Sequence, residues 1–147
     1  VTPKPPGTSH FCIVDKNGNI VSMTDSVEDM FGNRMYVGGF MLNNQLTDFL
    51  LLLSDDQGRP IANAVAARKK PRSSMAPTIV FERGAFKLAV GSPGGSSIIA
   101  YVSKALVGML DWGLTPSEAI ELPNVIFVDR KVHAIEKLIS VKPERTS

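Results

Sequence analysis

Few side chains in this sequence can do chemistry unaided, and several can be set aside at once. The only histidines are His10 and His133 and the only cysteine is Cys12, a set with no metal-ligand spacing. A serine or cysteine nucleophile would need one of those histidines as its base, and no Gly-x-Ser-x-Gly elbow is present. His10 reads as strand-edge packing or a surface position. Cys12 lies in the apolar run from Phe11 to Val14 and reads as a buried, inert thiol. The stretch Gly91-Ser92-Pro93-Gly94-Gly95-Ser96 lacks the lysine of a phosphate-binding loop. What remains is a nucleophile that carries its own base, and Thr8 is the candidate. A threonine at a free N-terminus sets its hydroxyl beside an α-amine of pKa near ~8, part of which is neutral at physiological pH. In the intact chain that nitrogen is an amide, so Thr8 can act only once the Gly7–Thr8 bond is cut.

Other residues suit the work around such a nucleophile, and each also has a plainer reading. Gly94 and Gly95, in a turn leading into a helix, can aim backbone N–H groups at an oxyanion because glycine lets the backbone approach closely; the alternative is a tight turn. Ser26 can hydrogen-bond the threonine hydroxyl. Glu28, Gln45 and Asp48 can hold a cationic amine, with Asp48 otherwise a cap or a solvated acid. Ser73 and Ser74 can donate to a carboxylate, or are simply loop hydroxyls.

The elements that must position these groups follow from pattern. Val1 to Gly7 holds three prolines and a glycine, which makes it an extended connector. Phe11 to Val14 is a continuous apolar run, as expected of a strand covered on both faces, and Ile20 to Thr24 is its partner. Asn17-Gly18 between them is a hairpin signal, since both residues accept positive φ. Asp25 to Gly39 reads as loop, ahead of a short apolar stretch at Phe40 to Leu42. The amide-dense segment Asn43 to Phe49 either satisfies a buried loop or lines a polar pocket. Four leucines, Leu50 to Leu53, precede a polar loop that reads equally as a lid or a surface excursion. Thr78 to Phe81 and Ala85 to Val90 form a second hairpin. Ser96 is placed to cap a helix carrying Ile98, Ile99, Val102, Leu106 and Leu110, with Gly113 as its stop. Thr115-Pro116-Ser117-Glu118 is a capping box for a short helix to Leu122. Val125 to Val128 and Val132 to Ile135 read as a last pair of strands. The order predicts an α+β fold with an antiparallel sheet against helices.

At 147 residues, 44% hydrophobic and 20% charged, the chain has the make-up of one globular domain. Sixteen basic and fourteen acidic residues leave a formal charge of +2, too small a surplus to argue for nucleic acid. The basic cluster Arg68, Lys69, Lys70 and Arg72 has no interleaved aromatics and reads as a solvated loop. No stretch is long enough for a membrane span. The chain opens on a connector and closes without a clear stop, so it reads as a piece of a longer protein.

Taken together, several blocks resemble the small, catalytic subunit of γ-glutamyltranspeptidases, members of the N-terminal nucleophile hydrolases. They are Thr8-Ser9-His10-Phe11, Val14-Asp15-Lys16-Asn17-Gly18-Asn19, Phe31-Gly32, Leu42 through Phe49, Pro71 through Ile79, and Gly91 through Ser96. They run from Thr8 to about Pro123 in the family's order. The resemblance implies a four-layer α-β-β-α sandwich, of which residues 8–147 are the small-subunit portion and residues 1–7 the end of the large-subunit segment. It implies self-cleavage at Gly7–Thr8 and transfer of a γ-glutamyl group, from glutathione or a similar donor, through a Thr8 ester to water or an amine. Ser26 would support the nucleophile and Gly94 with Gly95 form the oxyanion hole. Gln45, Asp48 and Glu28 would face the donor's α-amine, and Ser73 and Ser74 its α-carboxylate. No metal or cofactor is implied. The partner implied is the large subunit of the same precursor, which supplies an arginine for the donor carboxylate, and export from the cytoplasm is common in the family. The chain is expected to be truncated after about Ser140.

Three positions depart from the family's usual residues. Many members carry threonine at the positions of Ser9 and Ser26, a change that keeps the hydroxyl. Many carry asparagine where Glu28 stands, and the glutamate adds a negative charge to the amine site. Two other readings remain open: an acylase for glutaryl-type β-lactam side chains on the same fold, and an uncut, inactive domain that serves only in association.

Overall fold

The computed structural model describes residues 7–128 and 131–135. The expected connector before Gly7 and the expected truncation after Ser140 lie outside them. The chain divides after Ile98 into two compact units.

The first unit opens on a hairpin, β1 (Thr8–Val14) and β2 (Ile20–Ser26). Its register pairs Thr8 with Ser26, His10 with Thr24 and Cys12 with Ser22 on one face, and Phe11 with Met23 and Ile13 with Val21 on the other. Polar residues thus share a face with Thr8, because side chains alternate along a strand. The turn differs from a two-residue one. Asp15 staples a longer loop, its carboxylate accepting from the N–H groups of Asn17 and Asn19, both at 2.8 Å. Between Asn17 and Gly18 only the glycine takes positive φ, at 81°. The Asn19 side chain, and then its N–H, hold the Asp15 carboxyl below its usual range.

Two expectations are corrected here. The apolar run is not covered on both faces: among the described residues Ile13 is 55% and Val14 51% exposed. Cys12 is likewise exposed, not buried. An apolar run reports that burial is favourable but not what supplies it, and β1 and β2 form a two-stranded sheet.

Part of the expected loop, β3 (Tyr36–Val37), pairs with part of the short apolar stretch after it, β4 (Phe40–Met41), as a small hairpin. Gly38 and Gly39 make its turn with φ of 64° and 94°, the positive pair that a tight two-residue turn requires. Strands of two residues are too short to show alternation in sequence. Just before, Gly32 is obligatory: a Cβ there would lie 2.0 Å from the Leu42 carbonyl oxygen. A single 3₁₀ turn follows over Gln45–Asp48. Next come bridges joining Leu50 to Ala64 and Ser54 to Pro60. Phe49 and Ala64 are buried, whereas Leu51, Leu52 and Leu53 are exposed.

The next hairpin is β5 (Thr78–Glu82) and β6 (Ala85–Val90), with a bulge at Val80/Phe81. It leads to a 3₁₀ turn, Gly95–Ser97, that runs into α1 (Ile98–Leu110). Gly94 occupies the cap position and no side chain caps this turn, so Ser96 is not the cap expected. Ile98 is 1% exposed and belongs to the first unit. Burying it contributes about 1.5–3 kcal/mol.

In the second unit Val102 and Ala105 are the buried apolar residues of α1, whereas Ile99 and Leu110 of the expected stripe are exposed. The small residues explain the difference. At Gly108 a Cβ would lie 3.1 Å from Cβ of Ala119, so the α1 backbone closes on α2 (Pro116–Glu121), where Ala119 is fully buried. The α2 capping box is as expected: the Glu118 N–H donates to the Thr115 hydroxyl and the Thr115 N–H to the Glu118 carboxylate. Lys104 donates to the Ile120 and Leu122 carbonyls at 3.0 and 2.8 Å, satisfying acceptors at the end of α2. The last described elements are an antiparallel pair, β7 (Asn124–Val128) and β8 (Lys131–Ile135). Among the described residues the strands form four two-stranded sheets, each antiparallel as expected.

Candidate active site

Each unit has a cavity, and their chemistries differ. The one in the second unit, about 530 Å³, is walled mainly by apolar groups such as Val107, Trp112, Leu122 and Val125. Its single charged group, Lys104, is already bonded to two carbonyls. The cavity in the first unit, about 320 Å³, holds hydroxyls, carboxylates, an amide and a guanidinium. It is the one equipped for a reaction.

Thr8 enters that cavity from the first residue of β1 and Ser26 from the last residue of β2. Because they are register partners, their hydroxyl oxygens meet at 2.9 Å. The Glu28 N–H donates to Ser26 Oγ at 2.9 Å. That bond turns the chain sharply after β2 and brings Glu28 to the cavity wall with φ of 69°, a conformation uncommon for a residue with a long side chain. Just beyond that pair, the Val27 N–H donates to the Gly7 carbonyl at 3.0 Å.

Gln45 and Asp48 reach the same cavity from the two ends of the 3₁₀ turn, and the Gln45 side-chain amide donates to the Asp48 carboxylate. The neighbouring amides are scaffold. Asn44 Oδ1 accepts from the Asp29 N–H at 2.9 Å and its Nδ2 donates to the Asp29 carboxylate at 3.2 Å. Asn43 Oδ1 accepts from the Gln45 N–H at 2.9 Å. The dense amides therefore do both jobs considered: one lines the pocket and two satisfy the loop that shapes it.

Arg72, Ser73 and Ser74 line another part of the wall. Ser73 Oγ accepts from the Met75 N–H at 3.2 Å, which leaves its own proton to donate. Asn63 connects this loop to the acids: its amide donates to the Asp48 carbonyl and its oxygen accepts from the Arg72 N–H.

The glycine turn divides. Gly95, with φ of 56°, lines the cavity; Gly94, with φ of 137°, precedes it as the cap and is not among the lining residues. Gly94 closes the turn, its carbonyl accepting from the Ser97 N–H at 3.1 Å. The leading N–H groups of such a turn have no partner inside it and face outward as anion donors.

Eight of the nine sequence-derived site residues therefore share one cavity, and Gly94 adjoins it. Sequence reasoning missed two contributors. Arg72 is exposed, as the solvated-loop reading of its cluster expects, but it also lines the cavity, and its place directly before Ser73-Ser74 was the available signal. Asn63 had none. Elsewhere in the basic cluster, Lys69 donates to the Ala62 and Ala64 carbonyls. His10 stays outside the cavity. Its Nδ1 pairs with Thr24 Oγ1 at 2.9 Å and its Nε2 with Cys12 Sγ at 3.2 Å. The ring packs so closely on Gly91 that a Cβ there would lie 2.1 Å from it.

The chain is similar to known proteins in sequence and in fold. The profile of the family described as Gamma-glutamyltranspeptidase matches residues 1–139. The glutathione hydrolase proenzyme of Escherichia coli (strain K12) is 42% identical over 127 residues, covering 80% of this chain and 21% of that protein. That of Bacillus subtilis (strain 168) is 39% identical over 120 residues, covering 80% and 19%. The chain thus spans about a fifth of the length of these relatives. Among solved structures, a mutant γ-glutamyltranspeptidase of Helicobacter pylori is 34% identical, with a TM-score of 0.73 over 85% of this chain and 72% of that one. The transpeptidase CapD of Bacillus anthracis is 27% identical, with a TM-score of 0.64 over 90% and 68%.

Proposed function

Because the chain belongs to the γ-glutamyltranspeptidase family, we propose that it is the small-subunit part of an enzyme that transfers or hydrolyses γ-glutamyl groups, with Thr8 as nucleophile. Residues 8–147 then belong to the catalytic subunit, residues 1–7 end the large-subunit segment, and the rest of the precursor is the partner. Once Gly7 has left, the Thr8 α-amine takes the proton of its own hydroxyl as Oγ1 attacks the donor's γ-carbonyl. Gly95, with the Gly94 turn behind it, supplies backbone N–H groups to the oxyanion. Ser26 keeps Thr8 Oγ1 aimed. Collapse of the intermediate releases the donor's amine and leaves a γ-glutamyl ester on Thr8, which water or an acceptor amine then opens.

One observation carries this reading. The cavity that holds the Thr8–Ser26 hydroxyl pair also holds two acids, Glu28 and Asp48, and an Arg72, Ser73, Ser74 group. A free α-amino acid end presents an ammonium and a carboxylate on one carbon, and this wall offers a partner for each. A glutaryl donor has no ammonium for these acids to attract, so the γ-glutamyl reading is preferred. In the full-length precursor, Thr8→Ala is expected to give one uncut chain and no release of aniline from a γ-glutamyl anilide. A Thr8→Ala protein that is cut before residue 8 and turns over the anilide at the parental rate overturns the assignment.

A further inference from the structure

We propose that Val27 prepares the Gly7–Thr8 bond for its own cleavage, its N–H holding the oxygen that becomes the oxyanion and its side chain selecting glycine before the cut. The inference rests on the nucleophile reading above and deepens it. In self-cleavage, Thr8 Oγ1 attacks the Gly7 carbonyl carbon, and the carbonyl oxygen takes the negative charge. When the intermediate collapses, the Gly7 C–N bond breaks, the hydroxyl proton ends on the Thr8 nitrogen, and an ester joins Gly7 to Thr8 Oγ1. Water then adds to that carbon, the ester C–O bond breaks, and the proton returns to Oγ1. The products are a Gly7 carboxylate and a free Thr8 amine.

The atom that must carry the charge already has a donor. The Gly7 oxygen accepts from the Val27 N–H at 3.0 Å, in line with the β1–β2 ladder whose last pair is Thr8 with Ser26. A backbone donor fixed by a ladder needs no rearrangement as charge develops, which is what makes an oxyanion donor effective. The turn that presents this N–H also presents the hydroxyl, since Ser26 Oγ lies 2.9 Å from Thr8 Oγ1 and accepts from the Glu28 N–H. Carbonyl and nucleophile are therefore held by three consecutive residues, Ser26, Val27 and Glu28. Val27, Glu28 and Asp29 crowd the space that a side chain before the cut would take. A Cβ on Gly7 would lie 2.8 Å from Val27 Cγ2, 3.0 Å from the Glu28 oxygen and 3.3 Å from the Asp29 oxygen. A side chain at position 7 therefore presses on the residue whose N–H holds the Gly7 oxygen.

The test uses the full-length precursor and follows the appearance of the two chains with time. Gly7→Ala is expected to slow cleavage at least ~10-fold, while turnover per cleaved molecule stays parental because position 7 is not in the catalytic subunit. Gly7→Ala with Val27→Ala, which removes the crowding methyl, is expected to recover much of that rate. Replacing Val27 by its α-hydroxy-acid analogue, which exchanges the N–H for an ester oxygen, is expected to slow cleavage about 100-fold in protein whose circular dichroism matches the parent. Should that analogue fail to fold, the Gly7 and Val27 alanine pair decides. Parental cleavage by Gly7→Ala, or by the folded ester analogue, overturns the proposal. A parental precursor that does not cut before Thr8, or cuts and does not turn over γ-glutamyl donors, instead overturns the function on which it rests.

Discussion

Thr8 and Ser26 close the β1–β2 ladder as its last pair, with their hydroxyl oxygens 2.9 Å apart. The contact follows from register, since a slip of one residue would send Thr8 to the opposite face. Ser26 accepts from the Glu28 N–H, so its position is fixed from behind. Ser26→Ala is expected to lower kcat about 10-fold with KM little changed, because about 1–1.5 kcal/mol of orientation is lost and no donor contact is. Ser26→Thr keeps the hydroxyl and is expected to retain near-parental kcat. Equal losses in the two variants, read by steady-state kinetics on a γ-glutamyl anilide, would contradict an orienting role for the hydroxyl.

The acid wall predicts substrate discrimination. Asp48 is anchored twice, by the Gln45 amide on its carboxylate and by Asn63 on its carbonyl. Asp48→Ala removes one charged partner of the donor ammonium, worth about 1.5–3 kcal/mol, so KM for a γ-glutamyl anilide should rise ~10- to 100-fold. A glutaryl anilide has no ammonium, and its turnover should be unchanged. An equal effect on both substrates would mean that Asp48 holds the loop rather than the amine.

Glu28 combines a site position with a strained backbone. Its φ of 69° costs an ordinary L residue about 1–2 kcal/mol, and asparagine tolerates that region better. Glu28→Asn is expected to raise stability by about 0.5–1 kcal/mol in denaturant titration. It should also weaken donor binding, since one of the two acids is gone. A variant that becomes less stable would show that contacts of the glutamate side chain outweigh the strain.

How far the sequence could be read differs from element to element. The Thr115 to Glu118 box was legible because its residues act on one another within a single turn, and the structure has both of its bonds. The Thr8, Ser26 and Asp48 groups were legible through their chemistry and through the family resemblance. The expected α+β N-terminal nucleophile hydrolase class is that of the γ-glutamyltranspeptidases matched. Features set by distant partners were not legible. Arg72 is solvated as expected, but its place on the cavity wall was hidden because that cavity is built partly from segments 24 to 64 residues away in sequence. The β3–β4 hairpin has two-residue strands, below the length at which alternation means anything. The Phe11 to Val14 run announced a need for cover without naming it.

His10 makes the pH dependence specific. Its ring faces Thr24 Oγ1, Cys12 Sγ and the Gly91 backbone, and none of these is a carboxylate that would favour the charged form. Partial burial therefore lowers its pKa from the ordinary 6.5. With the folded value below the unfolded one, the unfolded chain binds more protons between the two, and stability rises with pH through that window. The contribution is complete above about pH 6.5 and is lost as pH falls through the folded pKa. Protonating His10 also adds charge where the ring meets Gly91, four residues before Gly95. Denaturant midpoints of the full-length protein should thus fall as pH drops from about 7 to 5, and His10→Gln, which keeps hydrogen-bonding groups but does not titrate there, should flatten that part of the profile. If His10→Gln leaves the slope unchanged, the pH dependence comes from other groups.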